Sequence, residues 1–248
     1  MKVVSFSVWG RKRTYHEGVI ENIALVKKHL PDWKVWVYTD GTAPQQSKMQ
    51  DEGAELFIMP KAKDSGGAMW RFLPIGDKQV EVCLPRDADN RINAHTAKAC
   101  EVFVQSGKRG ASFMSHRQHF KRPLCAGGMI TKTTNGQFTW KSMKPVIETY
   151  DSWWRDELYL TDNLYESNKR SWQFFSHDPM CVKNNLYRAK LWRPESERED
   201  WAIIKREAAD GAADVPFGME TIDIDGKCEE NYFRRHQGSH GKVAHPEE

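Results

Sequence analysis

Between residues 3 and 93 the chain alternates short apolar runs with amphipathic stretches, and few architectures accept that rhythm. Residues 3–9 are rich in Val, Phe and Trp and stop at Gly10, so they read as a first strand. Residues 15–30 carry Val19, Ile20, Ile23, Val26 and Leu30 at helical spacing, with Pro31 next. A second strand is expected over 34–39, closed by Asp40-Gly41, then a short helix over 45–52 ended by Gly53. Third and fourth strands are expected over 55–59 and 80–84. Strand–helix–strand order of this kind favours parallel strands joined by crossover helices. The predicted fold class is therefore α/β, Rossmann-like, with a mostly parallel central sheet flanked by helices. In such sheets ligands collect beyond the carboxyl ends of the strands. Gly10, Asp40 and the residues after 84 fall at those ends.

The second half is less regular. Helices are expected over 96–104, 154–165 and 201–209. Strands are expected over 111–115 and 124–131, the latter interrupted by Gly127-Gly128. No internal repeat or low-complexity linker divides the chain, so one domain over 1–248 is expected, with a mobile tail from 238. No apolar run approaches the roughly 20 residues that span a bilayer, and the first ten residues read as a strand rather than a signal peptide. A cytoplasmic protein without a membrane anchor is expected. The five cysteines, Cys83, Cys100, Cys125, Cys181 and Cys228, are scattered and form no C-x-x-C pair. Neither a zinc knuckle nor a disulfide framework is indicated. The formal charge of +3 argues weakly for a polyanionic partner, since a local basic patch matters more than the total.

The chemistry concentrates in Val80-Glu-Val-Cys-Leu-Pro-Arg-Asp-Ala-Asp-Asn-Arg-Ile-Asn93. An apolar run ends in Asp87-Ala88-Asp89, flanked by Arg86 and Arg91. Period-two residues share a face of an extended chain, so both carboxylates could converge on one hard cation. Mn²⁺ or Mg²⁺ favours oxygen ligands, and Mg²⁺ sites often use one or two carboxylates beside substrate phosphates. The arginines would neutralise what the metal does not. A solvated turn at a strand end is the competing reading.

Together with Met69-Trp-Arg-Phe-Leu-Pro74 and Arg86-Asp-Ala-Asp-Asn-Arg-Ile92, the chain resembles nucleotide-diphospho-sugar transferases of the GT-A type, glycosyltransferases with a D-x-D motif. It is similar in particular to a group found in viruses and microbes. The resemblance extends to Ala126-Gly-Gly-Met129, Asp156-Glu-Leu-Tyr-Leu160 and Ser176-His-Asp178, and weakly to Asn231-Tyr-Phe-Arg-Arg235. It implies a nucleotide-sugar-binding half over 1–93 and an acceptor-facing half over 94–248. Ser7, Val8, Trp9 and Gly10 would line the nucleobase pocket, and Tyr15, Gly18 and Asn22 fit the family's first helix. Arg71 would approach the donor's phosphates or help close the site, beside Arg86. Asp87 and Asp89 would bind the metal and diphosphate, and Gly127 and Gly128 would pass close to the sugar. Asp156 would face the transferred sugar, although Glu157 stands where related transferases often have Gln. Asp156 or Asp178 would serve as the acceptor-side base, and His177 is an acceptor-side candidate, for a base or a metal neighbour. His236 or His240 would complete the metal shell and Lys242 add positive charge.

The implied activity is metal-dependent transfer of a sugar, with a UDP-sugar favoured, to a hydroxyl acceptor. For that acceptor the residues suggest two openings. Ser115-His-Arg-Gln-His-Phe-Lys-Arg122, with His116, Arg117 and His119, mixes cations and an aromatic as a nucleic-acid-tracking loop does. Trp140, Trp153, Trp154, Trp172, Trp192 and Trp201 could stack on a flipped base of viral DNA, or simply fill the core. A glycan, protein or small molecule fits the residues equally. Two other classes stay open. A nucleotidyltransferase is faintly echoed by Gly10-Arg-Lys-Arg13, and a non-catalytic module for nucleic acid or glycan would need no metal-dependent turnover.

Overall fold

The structure is a computed structural model that describes residues 1–61, 64–113, 124–134, 138–149, 155–165 and 171–175. Its elements run β1 (Lys2–Ser7), α1 (Arg13–His29), β2 (Trp33–Thr39), α2 (Gln46–Asp51), β3 (Glu55–Ile58), a long 3₁₀ segment (Asp64–Gly76) and β4 (Val82–Arg86). Then follow α3 (Ala94–Gln105), β5 (Gly110–Phe113), β6 (Met129–Lys132), α4 (Trp140–Glu148), α5 (Arg155–Leu160), a π-helical turn (Thr161–Tyr165) and β7 (Trp172–Phe175). The strands form one seven-stranded sheet in the order β3-β2-β1-β4-β6-β5-β7. β1 pairs in parallel with β2 and β4, β2 with β3, and β5 with β7; only β6 opposes its neighbours. The expected α/β, mostly parallel sheet is what the chain forms.

Side-chain alternation along β1 explains the layering. Val4, Phe6 and Val8 join Val19, Ile23 and Val26 of α1 and Ala99, Cys100 and Phe103 of α3 in one core. Val3 faces the other way, into a second core with Met69, Trp70, Phe72 and Ile75 of the 3₁₀ segment. Met143 and Ile147 of α4 and Leu160 of α5 complete that side. Successive strand residues point to opposite faces, so a strand buried on both sides reads as the continuous apolar run seen in the sequence. Ser5 and Ser7 interrupt the run, and both are buried. Small hydroxyl residues there let the 3₁₀ segment approach, and the Arg71 N–H donates to Ser7 Oγ at 2.7 Å.

Several expected boundaries move. The strand placed over 124–131 begins only at Met129, after a turn in which Gly128 bridges to Arg86. The helix placed over 154–165 ends as an α-helix at Leu160 and continues as the π turn. The sequence pattern marks no element at the 3₁₀ segment, α4 or β7. Trp172 is fully buried and Trp140 packs against the second core, so neither is a free stacking surface. Trp153, Trp154, Trp192, Trp201 and the helix expected over 201–209 lie outside the described residues. No helix among the described residues is long and apolar enough to cross a membrane.

Candidate functional site

The site is built where β1 and β4 end and the 3₁₀ segment crosses them. β4 stops at Arg86, and the Asn90 N–H donates to the Asp87 carbonyl at 3.1 Å, closing a tight turn over residues 87–90. The expectation of two carboxylates on one face of an extended chain is therefore corrected. The pair lies in a turn, because polar Asp and Asn favour turns and Asn22 holds the turn's main chain.

Arg71 is the hub. Its side chain is 7% exposed, and its Nη1 meets Asp87 Oδ1 at 3.0 Å while its Nη2 meets Asp156 Oδ2 at 3.0 Å. One planar fork thus ties the strand-end turn to the start of α5, a use of geometry that lysine could not reproduce. Asp156 Oδ1 also accepts the Glu157 N–H at 2.9 Å, so both its oxygens are oriented. Burial pushes the Asp156 carboxyl above the ordinary range; Arg71 pulls it back and Asp87 adds a further upward push. Asp89 is raised as well, by burial first and then by the negative charge of Asp87, while Arg71 and Lys12 counteract. Lys12 lies beside Tyr15, its Nζ 3.2 Å from the phenol oxygen and 4.3 Å from the ring centre.

Gly127 is required by the same carboxylate. A Cβ there would sit 1.7 Å from Asp87 Oδ2, so only glycine admits this approach. Gly128 lies in the bridge to Arg86. Along β1, the Val8 side chain belongs to the core, whereas Trp9 is half-buried and meets Trp70 edge-on at 6.1 Å. The Gly10 N–H donates to Thr42 Oγ1 at 2.9 Å, which joins the ends of β1 and β2.

The structure thus brings Arg71, Asp87, Asp89, Gly127 and Asp156 together. It sets two flanking arginines apart. Arg86 is fully buried, its guanidinium 5.9 Å from the Phe113 ring centre, so its charge reaches the site only through the protein. Arg91 turns toward α1, pairing with Glu21 at 2.6 Å and donating to the Ala88 carbonyl at 3.1 Å. Lys12 was missed as a neighbour of the acidic turn, since nothing in Gly10-Arg-Lys-Arg13 distinguishes it from its basic neighbours. His116, Arg117, His119, His177, Asp178, His236, His240 and Lys242 lie outside the described residues.

The acidic turn carries donors of the kind a divalent ion takes: two carboxylates two residues apart, with the Asp89 carboxyl raised by burial and by the charge of Asp87, a push that a cation would relieve. Among the described residues no three His, Cys, Asp or Glu side chains could hold a metal by themselves. Substrate phosphate oxygens beside one or two carboxylates are the usual shell of Mg²⁺.

No family model matches the chain, and no curated protein does. Solved structures do. The S. aureus TarS 1–349 structure is 15% identical over 66% of this chain, with a TM-score of 0.46. The glycosyltransferase GlyE of Streptococcus pneumoniae is 14% identical over 89% of this chain and 65% of its own, with a TM-score of 0.45. Glucosyl-3-phosphoglycerate synthase of Mycobacterium tuberculosis is 14% identical over 70% of this chain and 69% of its own, with a TM-score of 0.45. Glycosyltransferases are among the solved structures it is similar to. The chain spans about half of TarS 1–349, 55% of its length. The fold itself rests on the sheet order and the direction of β6.

Proposed function

We propose that the chain is a metal-dependent glycosyltransferase that moves a sugar from a nucleoside-diphosphate donor to a hydroxyl group. The observation that carries this reading is the Asp87–Arg71–Asp156 bridge beside Asp89, at the carboxyl end of a parallel sheet. Ligand sites concentrate at that end of such sheets. Asp87 and Asp89 supply oxygen donors for Mn²⁺ or Mg²⁺. When bound, the ion would act as a Lewis acid on the leaving diphosphate. Arg71 contributes fixed positive charge that needs no reorganisation as negative charge develops on the leaving oxygen.

Asp156 supports the acceptor side. It is oriented at both oxygens and raised toward the range useful for a base. In this role it takes the proton of the acceptor hydroxyl; Asp178 is the other carboxylate proposed for the task. Val8, Trp9, Gly10 and Tyr15 are proposed to border the nucleobase, and His240 and Lys242 to approach the metal and diphosphate. A UDP-sugar is the favoured donor. A hydroxylated base in DNA is the acceptor that His116, Arg117 and His119 suggest, with His177 also on the acceptor side.

A thermal-shift screen of nucleotide sugars with and without Mn²⁺ tests the donor. A ligand that binds only the native state raises its melting temperature as concentration exceeds Kd. The expected result is a shift by one nucleotide sugar that requires metal, with UDP or GDP released on turnover. Release of pyrophosphate from a nucleoside triphosphate would instead identify a nucleotidyltransferase.

A further inference from the structure

Asn22 is fully buried in the middle of α1, among the core residues Val19, Ile23 and Val26. Asparagine is a poor helix former, and burying its amide is unfavourable unless every polar atom is satisfied. Here each is. Asn22 Nδ2 donates to the Ala88 carbonyl at 3.3 Å and to the Asn90 carbonyl at 3.0 Å. Its Oδ1 accepts the Ile92 N–H at 2.9 Å. Two carbonyls and one N–H as partners fix which end of the amide is which. All three bonds run to main chain some seventy residues away, and they fall on residues 88, 90 and 92, in alternation with Asp87 and Asp89.

Two further contacts press the same turn onto α1. A Cβ on Gly18, one helical turn before Asn22, would lie 2.1 Å from the Ala88 carbonyl oxygen, so that oxygen touches the helix surface. Arg91 donates to the same oxygen at 3.1 Å while pairing with Glu21 of α1. An apolar residue at position 22, as at 19, 23 and 26, would take the side-chain partner from the Asn90 carbonyl and the Ile92 N–H. A buried amide with three distant main-chain partners specifies one geometry of the turn.

We propose that Asn22 is a positioning residue for the acidic turn, setting Asp87 and Asp89 at the separation a divalent cation requires. The inference rests on the reading of Asp87 and Asp89 as metal ligands. Removing a group that orients a metal ligand typically weakens binding by about 10- to 100-fold. Because Asn22 acts on the main chain rather than on a carboxylate, the lower end, about tenfold, is expected.

The test is a Mn²⁺ titration of the full chain, alone and with UDP, with free Mn²⁺ read by electron paramagnetic resonance. Asn22→Ala is expected to weaken Mn²⁺ binding about tenfold. Gly18→Ala, which displaces the turn from a separate contact, is expected to shift it in the same direction and serves if Asn22→Ala does not fold. Val19→Ala, a truncation in the core that also holds Ala88 and Ile92, is expected to lower the melting temperature and leave Mn²⁺ affinity within about twofold, since Asn22 keeps all three of its bonds to the turn. Unchanged affinity in a folded Asn22→Ala or Gly18→Ala variant overturns the positioning role, and so does an equal shift in Val19→Ala. Asp89→Asn separates the two levels. If the wild type and Asp89→Asn bind Mn²⁺ alike, the metal-ligand reading itself is overturned.

Discussion

At the carboxyl end of the sheet Arg71 is buried between Asp87 and Asp156, whereas at the amino end Lys2, Lys28, Asp32, Lys98 and Glu101 line an open groove of about 620 Å³. The Lys98–Glu101 pair in that groove spans 3.2 Å, much like the Arg71–Asp156 pair, yet its side chains are 52% and 56% exposed against 7% and 11%. Distance alone does not separate the two regions; solvent does. An exposed pair contributes little, because water screens the charges and holding two long side chains together costs entropy. A buried pair has lost its hydration, and an apolar substitute often stabilises the fold as well or better. Under the proposed reaction, the charge kept in that place is the charge that meets the leaving diphosphate.

The comparison can be broken most directly at Asp87. With an acceptor and donor in hand, Asp87→Asn is expected to lower nucleotide release about 10²- to 10³-fold, the scale of losing one preorganised electrostatic contact. Retained activity at saturating Mn²⁺ would leave the carboxyl end no more functional than the amino end. Arg71→Met comes next. It strands the Asp156 carboxylate without its cation, and urea denaturation should show a loss of about 3 kcal/mol. Adding Asp156→Asn in the same chain should recover part of that loss, the mark of direct coupling between contacting residues.

A smaller effect, opposite in sign, is expected at Asp89. Its folded-state pKa is raised by burial and by Asp87. The folded chain therefore binds a proton more readily than the unfolded chain, and wild-type stability falls as pH rises from the ordinary aspartate range through the raised value. Asp89→Asn removes that penalty. Thermal melts should show the variant more stable than wild type at neutral pH, with the gain disappearing as pH falls below that window. Stability gained together with activity lost would mark Asp89 as kept for function. The smallest effect is expected in the amino-end groove. Lys98→Ala should change stability by no more than about 0.5 kcal/mol and leave nucleotide release unchanged.

The first half of the fold was legible because each element obeys one strong period. Val19, Ile23 and Val26 mark a helix, and the doubly buried strands β1, β2 and β4 read as apolar runs. The 3₁₀ segment is not legible in the sequence because Gly66, Gly67 and Pro74 disrupt any α-helical pattern, although its Trp70-Arg71-Phe72 core reads as a motif. α4 was hidden by Pro145 and by its cap. Thr139 and Ser142 bond reciprocally where the common signature has Glu or Gln in the third position. In the site, Asp87, Asp89, Arg71, Gly127 and Asp156 were legible as chemistry-bearing residues. Their arrangement was not. That Arg71 would bridge two carboxylates, and that Arg86 would be buried while Arg91 turned to Glu21, depends on the 3₁₀ segment crossing β1 and on the turn at 87–90.

The Arg71–Asp156 bond joins positions 85 residues apart in sequence. Contacts of such separation pay a large loop-closure entropy and tend to form late. β1 lies centrally although it comes first, so β2 and β3 can assemble on it early, whereas β4, which sets Val82 against Lys2, carries nearly the same closure cost as the Arg71–Asp156 bond. During refolding, far-ultraviolet circular dichroism from α1 and the first three strands should therefore recover before any signal that depends on Asp156. A chain paused at that stage would have three paired strands and an open arginine waiting for its last partners.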